Sequence, residues 1–233
     1  MVKLRPKKYR KKHIAADISI PSGRRRATRE LVWGDHGFLR ARFRNLHQIS
    51  DEMWRGNQPG PKDVERYKTE LGIKTIINLR GESTKGFYLL EKEACAAHGV
   101  ELIDFRMFSR DTPTVEKILG ARDLFDSIAY PAFMHCKSGA DRAGIMSFLY
   151  MMLRAKVPLE EAAAQISFKY LHVKHGKTGV LDAFVQAYRV FNATTPKPFL
   201  DWVRDDYDRL VVKNAFLESG GANFRLDELL RRE

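Results

Sequence analysis

A short apolar run, Ala132-Phe133-Met134, leads without a break into His135-Cys136-Lys137-Ser138-Gly139-Ala140-Asp141-Arg142 and then into a mainly apolar stretch, Ala143 to Leu153. So brief a run after Pro131 predicts a buried strand end, and the apolar stretch predicts a helix hidden on most sides. Strand, tight polar loop and buried helix in that order aim loop amides and the positive helix end at one point, a geometry that suits an anion.

The segments before this loop supply the sheet that such a strand requires. Pro61 suits the first turn of a helix whose Val64, Tyr67 and Leu71 share a face, and Gly72 stops it. Ile73 to Leu79 is crowded with β-branched residues and predicts a buried strand, followed by a helix from about Tyr88 to His98, a second strand over Val100 to Met107, and a helix opened by Thr112-Pro113. Alternation of this kind predicts an α/β fold with a central, mostly parallel sheet flanked by helices and the phosphate-binding loop between a strand and a buried helix. Beyond the loop, helices are expected over Pro158 to Tyr170, Gly179 to Phe191 and Phe199 to Phe216, with a short amphipathic end at Leu226 to Leu230.

Charge divides the chain. Residues 1–29 hold eleven Lys and Arg against the single acid Asp17, so that this segment carries +10 of a formal net charge of +12. With little to bury, residues 1–29 are expected to be a flexible basic tail, 30–195 the catalytic domain and 196–233 a helical extension packed on it. The tail's expected partner is an anionic membrane surface or nucleic acid. No apolar run approaches the length that spans a bilayer, and no apolar segment follows the basic start as a secretory signal requires. The two cysteines, Cys95 and Cys136, are too few for a disulfide framework or a four-cysteine zinc site, which fits a reducing, cytoplasmic setting. Neither a metal nor a cofactor is expected.

Cys136 and Arg142 carry the chemistry. A cysteine at a helix N-terminus beside loop amides and a cation is placed to act as a thiolate nucleophile. The backbone N–H groups of Lys137, Ser138, Gly139, Ala140 and Asp141, with the planar fork of Arg142, are suited to the equatorial oxygens of a phosphoryl group in transfer. Gly139 lets the loop wrap tightly. Read as structure alone, the same residues are a buried cysteine beside a surface arginine.

The stretch resembles the cysteine-dependent protein tyrosine phosphatase superfamily, whose signature is His-Cys-x-x-Gly-x-x-Arg, and within it the small atypical dual-specificity members. Met53-Trp54-Arg55-Gly56-Asn57-Gln58-Pro59 and Gly72 to Arg80 are similar to the strands of that group, so the resemblance covers about residues 46–192. It implies a phosphomonoesterase with a phosphocysteine intermediate, acting on phosphotyrosine, phosphoserine or phosphothreonine, or on a phosphoinositide or inositol phosphate. His135 is then the residue that tunes Cys136. Where the family usually has Ser or Thr after the loop arginine, this chain has Ala143, which puts the speed of phosphoenzyme breakdown in question. A leaving group needs a proton, and Asp111, in a loop that resembles the family's acid loop, is the candidate donor, with capping of the next helix as its other reading and Asp141 as a competitor. Arg80, at a strand's carboxyl end, is a candidate substrate contact. His172, Lys174, His175 and Lys177 are read as a solvated loop, with a contact to a polyphosphate headgroup as the sharper reading. A catalytically weak phosphate-binding module tethered by the tail, and a sulfur-transfer enzyme with a loop cysteine, are the alternatives in other classes.

Overall fold

In the computed structural model, which describes residues 15–219, β1 (His47–Ser50), β2 (Met53–Gly56), β3 (Thr75–Asn78), β4 (Glu101–Asp104) and β5 (Ala132–His135) form one sheet of order β1-β2-β5-β3-β4. Only the β1–β2 pair is antiparallel; β2, β5, β3 and β4 run parallel. Of the three inner strands, β5 and β3 are buried along their whole length, as strands covered on both faces must be.

Alternation along these strands divides the interior. Ile76 and Phe133 point to one face, where they meet Val64 and Tyr67 of α3 (Pro61–Leu71) and Ala94 and Cys95 of α4 (Gly86–Ala97). Ile77, Ala132 and Met134 point to the other face and a larger core. This core is built with α5 (Val115–Ser127), α6 (Asp141–Tyr150) and α8 (Val180–Thr194). The C-terminal helices α9 (Phe199–Asp205) and α10 (Arg209–Glu218) complete this core, with Phe199, Trp202 and Tyr207 packed edge-on or tilted around Phe184 at ring distances of 5.1–6.2 Å. Among the described residues, no helix is long and apolar enough to cross a membrane.

Several expectations need correction. Residues 1–14 lie outside the described residues, as does the segment from Leu226 to Leu230, but Pro21–Arg29 forms α1 rather than a loose tail. Ala27 is fully buried there against Leu90 of α4, and Arg24 pairs with Glu93 at 2.5 Å, so small apolar residues between the arginines give this segment an anchor that its charge obscures. After α2 (Gly37–Arg42) the chain enters the sheet. The helix expected over Pro158 to Tyr170 stops early: α7 covers only Leu159–Ala163, and Ser167 is extended while Leu171 takes a left-handed φ of 66°. The reason is tertiary, because the carbonyls of Gln165 and Tyr170 are taken by side chains from elsewhere. The expected helix Phe199 to Phe216 breaks at Tyr207, where Asp208 caps α10 by accepting from the amides of Leu210 and Val211.

Candidate active site

β5 ends at His135 and α6 begins at Asp141, so Cys136 to Ala140 form a tight loop at the carboxyl end of the sheet's middle strand. What shapes the loop is the outward capture of its carbonyls. Lys137 O accepts from the amide of Gln58 at 3.4 Å, and Ser138 O from Asn45 Nδ2 at 3.0 Å. Arg55 Nη2 donates to both Gly139 O and Ala140 O, at 2.8 and 3.1 Å. A trans peptide whose C=O is turned outward turns its N–H inward, so the amides that follow line the concave side. One of them, Gly139 N–H, donates to Cys136 Sγ at 3.3 Å.

Gly139 is required here on two counts. Its φ is +77°, and a Cβ would stand 2.7 Å from the carbonyl carbon of Gly56 and 2.9 Å from the amide nitrogen of Asn57. Arg55 is equally confined. It is fully buried on β2, its Nη1 donates to Gln165 O at 2.6 Å, and its guanidinium lies 4.1 Å from the ring centre of Tyr170. Burial pushes it down to about 10, which leaves it fully charged at neutral pH. Asn45, with φ +45°, bridges Ser138 O and Tyr170 O.

Arg142 is half-buried on the first turn of α6, and no described residue offers it a counter-ion. Inward amides and a buried sulfur thus share one loop, and the unpaired Arg142 follows it on the first turn of α6. His135 sits behind Cys136: its Nδ1 lies 3.3 Å from Cys136 O, its ring stacks on Phe133, and its Nε2 is 2.7 Å from the buried Glu91 carboxylate. Glu91 in turn accepts from Gln58 Nε2 at 2.6 Å. Sequence reasoning missed this glutamate, which lies in the helix expected from about Tyr88 to His98 and carries the one acidic side chain that the fold buries there. Cys95 is buried, and burial with the nearby Glu91 pushes its thiol up to about 12, so it is an inert packing residue.

The other sequence candidates are placed less simply. Arg80 is not open to a ligand: its guanidinium takes both oxygens of Asp35 at 2.7 and 2.8 Å, donates to Gln58 Oε1 and stacks on Phe87 at 3.6 Å. Lys137 stays 41% exposed, with Nζ 3.6 Å from the same Asp35. Asp111 is stapled to α10, where Arg209 binds Oδ2, Lys213 approaches Oδ1 at 3.2 Å, and the amide of Thr112 donates to Oδ1 at 3.0 Å. Each carboxylate oxygen thus has a partner on or beside α10, while the side chain stays 27% exposed. Asp104 is structural, accepting from Asn78 Nδ2 and Tyr88 Oη.

His172 is neither solvated nor a headgroup contact. It is buried, with Nδ1 2.8 Å from Asp141 Oδ1 and Nε2 2.7 Å from Asp182 Oδ2. Burial alone would push the imidazole down, but the hydrogen bonds and charges of Asp141 and Asp182 outweigh it and push the ring up to about 9. Lys174, His175 and Lys177 are exposed.

Two outcomes are expected from this geometry. Gly139→Ala will lower the unfolding free energy by more than about 2 kcal/mol in denaturant titration, because a left-handed φ and a backbone collision act together. The second concerns pH. Between the ordinary 6.5 of an imidazole and about 9, the folded protein retains a proton on His172 that the unfolded chain has released. This contribution is therefore whole below pH 6.5 and lost as pH rises through 9, a fall of about 1–3 kcal/mol. His172→Gln will flatten that part of the stability profile.

Comparison with known proteins adds an independent finding. The family model PTP-NADK, described as a dual-specificity-type protein tyrosine phosphatase fused to NAD+ kinase, matches residues 43–191. No curated protein matches the chain in sequence. Among solved structures, Pseudomonas aeruginosa TpbA is 16% identical, with a TM-score of 0.52 over 62% of this chain and 84% of that one. A cysteine-to-serine variant of TpbA in complex with pTyr is 15% identical at the same TM-score of 0.52, over 69% and 88%. The DUF442 protein of Shewanella putrefaciens CN-32 is 20% identical, with a TM-score of 0.50 over 62% and 93%. These likenesses are in fold.

Proposed function

The chain belongs to the PTP-NADK family and has the fold of a small atypical dual-specificity phosphatase, and from that premise we propose that it hydrolyses phosphomonoesters through a phosphocysteine intermediate on Cys136. The observation that carries this reading is the outward capture of the carbonyls of residues 137–140 around a cysteine, beside an arginine with no counter-ion among the described residues. Such a loop offers several aligned donors to phosphoryl oxygens before any substrate arrives, which is the preorganisation that stabilises charge in a transition state. Arg142 supplies the bidentate fork, and Cys136 Sγ attacks phosphorus. The shell of Ala143 is apolar and Ala143 itself fully buried, so no hydroxyl at that position assists phosphoenzyme breakdown.

Proton donation is assigned to Asp141 in preference to Asp111. The two side chains are equally exposed, but Asp111 has both oxygens engaged by cations or an amide, whereas Asp141 is held through Oδ1 alone and directly precedes Arg142. The substrate class is a phosphorylated Tyr, Ser or Thr side chain, or a phosphoinositide or inositol phosphate. The pTyr bound to the structural neighbour TpbA supports the first, and the exposed Lys137 beside the nucleophile supports the second. Exposed Arg25 and Arg29 on α1 support contact of the basic N-terminal region with an anionic membrane or nucleic acid.

Cys136→Ser will abolish phosphate release from p-nitrophenyl phosphate while binding vanadate-sized oxyanions through the surviving amides and Arg142; release at a comparable rate refutes the phosphocysteine route, and its absence in the unaltered protein points to a binding module. Asp111→Asn will slow an alkyl and an activated aryl ester by the same small factor, below about threefold, because only a proton donor distinguishes them. A selective loss on the alkyl ester would return the acid role to Asp111.

A further inference from the structure

One buried charged group is left unused by this chemistry. His172 lies on the segment between α7 and α8, sealed from solvent, with a carboxylate oxygen within 2.8 Å of each ring nitrogen. Ionised carboxylates only accept, so both nitrogens carry hydrogen and the ring is an imidazolium. The charged groups facing it are Asp141 from α6 and Asp182 from α8, while Lys174, His175 and Lys177 of its own segment are exposed. Asp141 directly precedes Arg142, is 27% exposed, and has no partner for Oδ2 among the described residues. A store of one proton therefore stands a single carboxylate away from the loop.

The same segment is fastened to that loop in other ways. Arg55 and Asn45 each join it to the loop backbone, through Gln165 O and Tyr170 O. The distance between His172 and Asp141 is thus set by a framework of buried contacts.

We propose that His172 is the proton reserve of the reaction, a positioning residue that acts through Asp141; this rests on the phosphatase reading above. As Sγ of Cys136 bonds to phosphorus and the ester P–O bond breaks, the Nδ1 proton of His172 passes to the Asp141 carboxylate, and the carboxylic acid so formed gives its proton to the leaving oxygen. The ring, now neutral, stays in place through its Nε2–H bond to Asp182. In the second step water attacks the phosphocysteine, its proton passes to Asp141 and on to Nδ1, and Sγ leaves as the S–P bond breaks. Thiolate, imidazolium and both carboxylates are restored, and the products are the alcohol and phosphate.

Rapid-quench kinetics on the full chain, with phosphoserine and p-nitrophenyl phosphate as paired substrates, test the relay. His172→Gln will slow phosphoenzyme formation from phosphoserine by about 10²-fold and from the aryl ester by less than about threefold. Asp141→Asn will show the same pattern, and the double variant will be no slower than Asp141→Asn alone, since the two act in series. Asp182→Asn leaves the contact between ring and Asp141 in place but removes one of two counter-charges, so it will move the alkaline limb of kcat to lower pH. Vanadate binding like that of the unaltered protein checks that each variant keeps its pocket. Equal losses on both esters, losses that multiply in the double variant, or an unmoved alkaline limb would overturn the relay and leave the phosphatase reading standing. Absence of phosphate release from both esters by the unaltered protein would overturn both.

Discussion

The site depends on one buried guanidinium. Arg55 stands on β2 beside the loop-bearing strand, fully enclosed, with one nitrogen on two loop carbonyls and the other on Gln165. A charge so enclosed needs partners for its donors; Nη1 and Nη2 have them while Nε has none, so a loop that turned its peptides inward would strip Nη2 as well. The same requirement bends the segment after α7 out of helical geometry, because Gln165 must present its carbonyl to Arg55 and Tyr170 its carbonyl to Asn45. The shape of the loop is therefore set by a residue that lies wholly outside it.

The sheet and most of its helices were legible because their information is local. The crowding of β-branched residues in Ile73 to Leu79 and the Pro61 and Gly72 boundaries of α3 match what packs, and the loop from His135 to Arg142 stands between strand and buried helix as read. What stayed hidden was long-range. His172 looked like a member of a basic, solvated loop because its partners Asp141 and Asp182 lie 31 and 10 residues away. Arg80 looked like a ligand contact because Asp35, which neutralises it, lies 45 residues earlier in the chain. Glu91 appeared as one more helix residue until the fold set it under His135. In each case a charge gained its meaning from a partner that no sequence window contains.

Two flanking segments converge on the site from opposite ends of the chain. From the N-terminal side, Asp35 joins Arg40, Arg80 and Lys137 into one ion cluster. Burial opposes its charge, yet Arg80, Arg40 and Lys137 hold the carboxyl below its ordinary range, so the cluster is intact at neutral pH. From the C-terminal side, Arg209 and Lys213 grip Asp111, while Tyr207 donates to Pro113 O at 2.7 Å. Both loops beside Cys136 are thus steadied by residues outside the stretch that defines the family.

That arrangement bears on where the unit ends. The stretch over residues 43–191 holds the sheet, the loop and Cys136, and it is the portion that the family model matches. Taken alone, it has Arg80 and Lys137 without Asp35, and Asp111 without Arg209 and Lys213. An anion from one flank and two cations from the other complete these charges, so in this chain the border of the family stretch does not coincide with the border of the electrostatic unit.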